Sequence, residues 1–213
     1  MRKIQYDTSG IQFRECIEAA LGVSDKLEDI HKSFDWGLRT RVTDQNTPLH
    51  KLYYDNFESV VSPVWERFVS EVIAPQMDED FLYQKIPTFR VQLPRNVAVG
   101  EFHKDSKYGH QDGAMNLFIP FTELNKYNTI LIVETMPDRE PRHSPMICEY
   151  GEFFVWDGVN TMHGNIFNES DVTRVSVDAR IVPASVADEM PPAESINMNT
   201  PLEEGGYYKR FTK

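Results

Sequence analysis

Cysteine is scarce. Cys16 and Cys148 are the only two in 213 residues, and their spacing suits no metal cluster. That excludes a disulfide framework and a thiolate metal site, and both thiols are expected to be buried or idle in a reducing, cytoplasmic compartment. Long apolar runs are missing as well. No stretch of about 18 apolar residues occurs, and the start, "MRKIQYDTSGIQFREC", lacks the apolar centre of a signal peptide, so no membrane role is expected. Positive charge is in deficit: 22 Lys and Arg stand against 33 Asp and Glu, giving a net charge of −11 and a pI near 5.0. Such a surface repels phosphate backbones and argues against a nucleic-acid partner. It leaves room for a local basic pocket that takes a small anion.

What remains is ordinary soluble-globular composition, 40% hydrophobic and 26% charged, without internal repeats or low-complexity tracts. At this length one domain over residues 1–213 is expected, with core enough to need no staples. Residues 1–80 read as a helical layer. In "NTPLHKLYYDNFESVVSPVWERFVSEVIAP" the apolar set Leu49, Leu52, Tyr53, Phe57, Val60, Val61, Val64, Phe68 and Val72 recurs in steps of three and four. Thr47 is the expected N-cap with Pro48 in the first turn, and Ser62-Pro63 is a point of kink or restart. A shorter helix is expected in "SDKLEDIHKSF", with Leu27, Ile30 and Phe34 buried.

From residue 86 the texture changes to short runs rich in Val, Ile, Phe and Thr, punctuated by Gly, Pro, Asn and Asp. They are "TFRVQLP", "NVAVGEFH", "AMNLFIPF", "TILIVET", "GEFFVWD" and "TRVSVDARIV". This predicts a mainly β fold with flanking α: a double-sheet jelly roll over residues 84–182, backed by the N-terminal helices. Residues 183–213 are Pro-rich and weakly patterned, a C-terminal arm or lid that Tyr207 and Tyr208 would anchor.

Two copies of His-x-Asp lie seven residues apart, His103-Lys104-Asp105 and His110-Gln111-Asp112. On extended backbone residues two apart share a face, so either pair could hold one metal ion. His103 closes the apolar run "NVAVGEF", whereas His110 sits between Gly109 and Gly113 in a loop tip. The strand-borne pair is the better ligand candidate because a ligand must be held rigidly. The loop pair is left for a hydrogen bond or a substrate contact.

His163, in "WDGVNTMHGNIFN", is the candidate third ligand, and Arg174 follows it by eleven residues. Alternation in "TRVSVDARI" puts Arg174, Ser176, Asp178 and Arg180 on one face and Val175, Val177, Ala179 and Ile181 on the other. The polar face is either a barrel interior or a solvated surface. Two His and one carboxylate on one face of Fe(II) leave three positions open. A 2-oxo acid can fill two and O2 the third, while an arginine forks the far carboxylate with help from a hydroxyl two residues on.

The segments "HKDSKYGH…MNLFIPFTELN", "GEFFVWDG…HGN" and "NESDVTRVSVDARI" resemble the iron(II)- and 2-oxoglutarate-dependent oxygenases. The likeness is to the branch related to phytanoyl-CoA dioxygenase and to hydroxylases of streptomycin-type biosynthesis, and covers roughly residues 84–182. It implies a double-stranded β-helix, with His103, Asp105 and His163 on Fe(II), Arg174 and Ser176 on 2-oxoglutarate, and O2 as the second co-substrate. It further implies hydroxylation, desaturation or ring closure of a small polar metabolite. Halogenation is disfavoured, since Asp105 stands where halogenating relatives carry a small residue.

Further candidates have two readings each. Arg90 and Gln92 alternate against Phe89, Val91 and Leu93 and face either the cavity or, for Arg90, a surface acid. Asn116 contacts the co-substrate or braces a ligand. Trp156 and Asp157 line the entrance or serve as a core tryptophan and a turn aspartate. Arg180 meets an anionic substrate or pairs with Asp178 or Glu134, and His110 is a substrate contact. A metalloenzyme that uses no 2-oxo acid, and a jelly-roll binding module without metal, are the alternative readings of the chain. Self-association into an oligomer is possible on all of them.

Overall fold

The computed structural model describes residues 1–34, 45–97, 101–135, 139–196 and 200–213. In chain order it contains β1 (Arg2–Gln5), α1 (Phe13–Leu21), α2 (Pro48–Asp55), α3 (Ser62–Phe68), β2 (Phe81–Gln84), β3 (Thr88–Gln92), β4 (Met115–Pro120) and β5 (Ile130–Glu134). There follow β6 (Arg142–Pro145), β7 (Glu152–Trp156), β8 (Met162–Asn165), β9 (Arg174–Pro183), α4 (Ala184–Ala187), β10 (Glu194–Ser195), β11 (Thr200–Pro201) and β12 (Tyr208–Phe211).

The long strand β9 organises the molecule. Strand β4 pairs along one of its edges, and β3 and then β2 along the other. The result is a seven-stranded antiparallel sheet ordered β1-β7-β4-β9-β2-β12, with β3 also on β9. Because alternate residues point to opposite faces, Val175, Val177, Ala179 and Ile181 join one apolar core while Arg174, Asp178 and Arg180 line a cavity. The polar face of β9 is therefore interior, not solvated. A second sheet, β6-β5-β8, faces this one. Phe118, Phe154 and Trp156 of the large sheet pack there against Ile130, Ile132, Met146 and Cys148. Two facing antiparallel sheets of this kind make the jelly roll, or double-stranded β-helix.

The helical layer covers the outer face of the large sheet. Thr47 caps α2 by accepting from the His50 N–H at 3.3 Å, and Pro48 occupies the first turn. Ser62-Pro63 restarts the helix without breaking it. Pro63 has no N–H to give, and just before it the Ser62 N–H reaches back five residues to the Phe57 carbonyl, forming a π-turn over Phe57–Val61. Leu49, Tyr53, Phe57, Val61, Trp65 and Phe68 are buried against Phe89, Val91 and Phe153 of the sheet. Each such side chain contributes roughly 1.5–3 kcal/mol by leaving water.

Several local expectations differ from the structure. The first 80 residues are not all helical: Arg2–Gln5 pairs antiparallel with β7 and extends the large sheet. The segment Leu27–Lys32 is a 3-10 turn, although Leu27 and Ile30 are buried as the pattern requires. In "NVAVGEFH", Val97 and His103 form single bridges to Phe167 and His163, and residues 98–100 lie outside the described residues. The arm returns to the core as β12, paired with β2, and Tyr207 and Tyr208 are buried. Among the described residues no helix is long and apolar enough to cross a membrane.

Candidate metal centre and cavity

His103 and His163 are brought face to face by backbone. Each donates its N–H to the other's carbonyl at 2.9 Å, a two-residue bridge that brings the rings together, tilted at 53° with centroids 4.6 Å apart. Lys104 is extended (φ −106°, ψ 143°), so Asp105, at the start of a 3-10 turn, returns to the same side as His103. The Nδ1 of His103 lies 2.7 Å from the Glu101 carbonyl, and that of His163 2.9 Å from the Thr161 carbonyl. A carbonyl only accepts, so both Nδ1 atoms carry the proton when the rings are neutral and both Nε2 atoms present lone pairs. Those lone pairs point at Asp105 Oδ1, at 3.2 and 3.6 Å. Three acceptors converging within 4.8 Å of one another repel unless a cation lies among them, so this donor set fits a divalent metal. Among the described residues it is the one cluster of three such groups.

The other carboxylate oxygen of Asp105 is fully engaged. Asn116 Nδ2 and Arg180 Nη2 each donate to Oδ2 at 2.7 Å. Sheet register explains the pairing: Asn116 on β4 sits directly opposite Arg180 on β9, so both side chains leave the same face side by side. Burial works to raise the Asp105 carboxyl, but the Arg180 guanidinium and the donors around it hold it well below the usual carboxylate range. Burial lowers His163, which is neutral at pH 7. Burial also opposes protonation of His103, yet the Asp105 carboxylate beside it favours the charged ring and leaves that imidazole raised.

Asn116 is itself located by Gly158. A Cβ at Gly158 would lie 2.5 Å from the Asn116 amide nitrogen, a short buried side chain with nowhere to retreat. Gly158→Ala is therefore expected to push the amide off Asp105 and lower metal affinity roughly 10–100-fold, the usual consequence of losing a ligand's hydrogen-bond partner. Calorimetric titration checks it; Asn116→Ala should give the same loss, and unchanged affinity in both would refute the bracing role.

The cavity above the cluster has a volume of about 610 Å³. Arg174 enters at one end, 2% exposed, donating to the Asn128 carbonyl at 3.0 Å and to Asn165 Oδ1 at 2.6 Å, with its guanidinium 5.8 Å from the Phe118 ring. Ser176 lies on the same strand face, fully buried with no hydrogen-bond partner for its hydroxyl, but is not among the residues lining the cavity. Arg90 lines the cavity and pairs with Asp178 at 2.6 Å. Gln92 does not line it: its amide is spent on the Asn96 and Ile166 carbonyls, which corrects the expectation of a substrate contact there. Trp156 is both core and wall, edge-on to His163, with its buried Nε1 unpartnered. Asp157 is a turn residue, accepting from the Asn160 N–H at 3.0 Å.

The second His-x-Asp divides. His110 lies in its loop but is buried on the cavity wall, and burial, with Arg180 adding to it, pushes its imidazole down to about 3. It is neutral at any working pH. Asp112 instead accepts from the Asn160 amide at 2.8 Å on the surface.

Several cavity residues escape the sequence reading. Thr88 shares the inward face of β3 with Arg90, opposite Asp178 of β9, so alternation could have named it. His50 and Tyr54 reach in from α2, and Tyr207 and Ser195 from the arm, positions with no local signature.

No family model matches the chain. Fold and site define its class as a double-stranded β-helix carrying a two-histidine, one-carboxylate cluster. The same fold occurs in the non-heme alpha ketoglutarate dependent carbocyclase SnoK from nogalamycin biosynthesis (TM-score 0.51, 13% identity, 98% of this chain and 89% of that one). It occurs also in HygX from Streptomyces hygroscopicus, solved with nickel and 2-oxoglutarate bound (TM-score 0.51, 13% identity, 85% of this chain and 82% of that one). The chain is 36% identical over 206 residues to the streptomycin biosynthesis protein StrG of Streptomyces griseus, covering 97% of this chain and 96% of that protein. It belongs to the StrG family.

Proposed function

We propose that this protein is a non-haem iron(II) oxygenase that uses 2-oxoglutarate and O2 to oxidise a small polar metabolite in a biosynthetic pathway. The observation that carries the reading is the convergence of two Nε2 lone pairs and Asp105 Oδ1, with a buried arginine in the same cavity. His103, Asp105 and His163 would hold Fe(II). When bound, iron with 2-oxoglutarate and O2 supplies the oxidation of an unactivated C–H bond, the co-substrate leaving as succinate and CO2. Membership of the StrG family and the fold shared with SnoK and HygX support the same reading.

The chain's own residues bind, orient and exclude water. Arg174 is the fork for the far carboxylate of 2-oxoglutarate; the unpartnered Ser176 hydroxyl shares its strand face, and serves as the second donor only if the co-substrate reaches past the present cavity wall. The substrate chamber is polar but nearly charge-balanced: Arg90 is offset by Asp178 and Arg180 by Asp105. A cationic substrate, which the acidic surface by itself would suit, finds no unpaired carboxylate among the described lining residues. Neutral His110 and the edge of Trp156 offer hydrogen bonds to a polar molecule. On this reading residues 1–213 act as one domain in the cytoplasm, where the buried free thiols Cys16 and Cys148 stay reduced.

Anaerobic titration with Fe(II) and then 2-oxoglutarate tests the proposal. A weak visible charge-transfer band on adding the 2-oxo acid is the expected result. Metal uptake without the band would indicate a metalloenzyme that uses no 2-oxo acid, and absence of metal uptake a binding module.

A further inference from the structure

Resting on the reading of His103, Asp105 and His163 as iron ligands, we infer that Arg180 is a positioning residue. Braced by Tyr207 of the C-terminal arm, it keeps Asp105 a one-oxygen ligand and so keeps three metal positions open. A carboxylate facing a divalent ion can bind through one oxygen or chelate through both. Chelation by Asp105 would occupy a position that a bidentate 2-oxo acid and O2 need.

The structure opposes chelation at Oδ2. That oxygen accepts from Arg180 Nη2 and from Asn116 Nδ2, each at 2.7 Å, while Oδ1 faces the two histidines. Asn116 is a neutral donor; Arg180 brings the charge that makes release of Oδ2 expensive in a buried site. Arg180 is in turn held from its far side, where Nη1 donates to the Tyr207 hydroxyl at 3.0 Å.

Tyr207 belongs to an arm seated on the turn that carries Asp105. The Ile196 N–H donates to the Tyr108 carbonyl at 3.2 Å, and Gln111 Nε2 to the Pro191 carbonyl at 2.6 Å. Gly109, in the left-handed region at φ 88°, lets the Glu194 carbonyl approach where any side chain would collide. Arm, arginine and metal carboxylate thus form one continuous chain of contacts.

Metal affinity alone does not decide the matter. Removing a guanidinium frees the carboxylate to rotate, which weakens binding, but also removes a cation near the metal, which strengthens it. Coordination mode is free of that cancellation. Co(II) reports it through its visible absorption, which responds to ligand number, and 2-oxoglutarate affinity of the Co(II)-loaded protein reports the open positions.

Arg180→Met is expected to alter the Co(II) spectrum and weaken 2-oxoglutarate binding about 10–100-fold with Arg174 untouched. Arg180→Lys, which restores a charged donor, should return both toward wild type. Tyr207→Phe deletes one hydroxyl and should move both in the same direction by less, which keeps the inference testable if Arg180→Met misfolds. Wild-type spectrum and 2-oxoglutarate affinity in an Arg180→Met protein of unchanged melting temperature would overturn it. Where the wild type binds Co(II) and Asp105→Asn does not, an unaltered Arg180→Met protein sinks this inference alone; a wild type that takes up no Co(II) sinks the iron reading itself.

Discussion

Asp105→Asn abolishes turnover and lowers divalent-metal affinity by more than about 100-fold. Loss of a group that merely hydrogen-bonds a ligand costs roughly 10–100-fold, and Asp105 is a ligand and the only anionic one of the three, so its loss must exceed that range. The physical reason lies in the two oxygens. Oδ1 is the acceptor on which both Nε2 lone pairs converge, and without its charge two neutral imidazoles remain to hold a dication. Asparagine is the right first variant because it can still accept from Arg180. Asp105→Ala would also leave that buried guanidinium without its carboxylate, and breaking a buried pair from one side costs about 3–5 kcal/mol of stability. Equilibrium dialysis against Fe(II) or Mn(II), with 2-oxoglutarate consumption as the turnover assay, gives the answer. A variant that binds metal like the wild type and still turns over would remove Asp105 from the ligand set.

The second large effect is expected at Arg174. Arg174→Met should raise the KM for 2-oxoglutarate by about thirty- to several-thousand-fold, the equivalent of the roughly 2–5 kcal/mol lost when one partner of a buried charged hydrogen-bonded pair is truncated. The guanidinium is pre-set: its donors are anchored on the Asn128 carbonyl and Asn165 Oδ1, and it sits over the Phe118 ring. A lysine would keep the charge but neither the fork nor those two anchors, so Arg174→Lys should recover only a small part of the loss. Metal affinity measured without 2-oxoglutarate should not change, because Arg174 touches none of the three ligands. An unchanged KM in Arg174→Met would exclude it as the co-substrate's anchor.

Much of the frame was legible in local pattern. The helix start at Thr47-Pro48, the restart at Ser62-Pro63 and the strands at 88–92, 115–120, 130–134, 152–156 and 174–183 follow from capping chemistry and from alternation. Misreadings fall where local pattern carries no information. Arg2–Gln5 has the exposure of an edge strand and is a strand only because β7 offers it a partner. His110 lies in a loop, as its flanking glycines indicate, but local pattern does not show that those glycines let the arm close over the loop and bury it. Gln92 shares a strand face with Arg90 yet lies beyond the cavity, beside Asn96 and Ile166.

By itself the sequence determined that β9 has one polar and one apolar face, and that His103 and Asp105 point the same way, because locally extended backbone decides both. It could not say what those faces meet. Tertiary structure alone decided that the polar face of β9 is interior, that His163 bridges His103, and that Asn116 and Arg180 end on one oxygen of Asp105. These contacts join residues 11 and 75 positions apart in the chain, and Tyr207 closes on Arg180 across 27 more. Periodicity specifies which side a residue faces, whereas a metal centre requires that several sides face one another. That is settled by sheet pairing and by where the arm comes to rest.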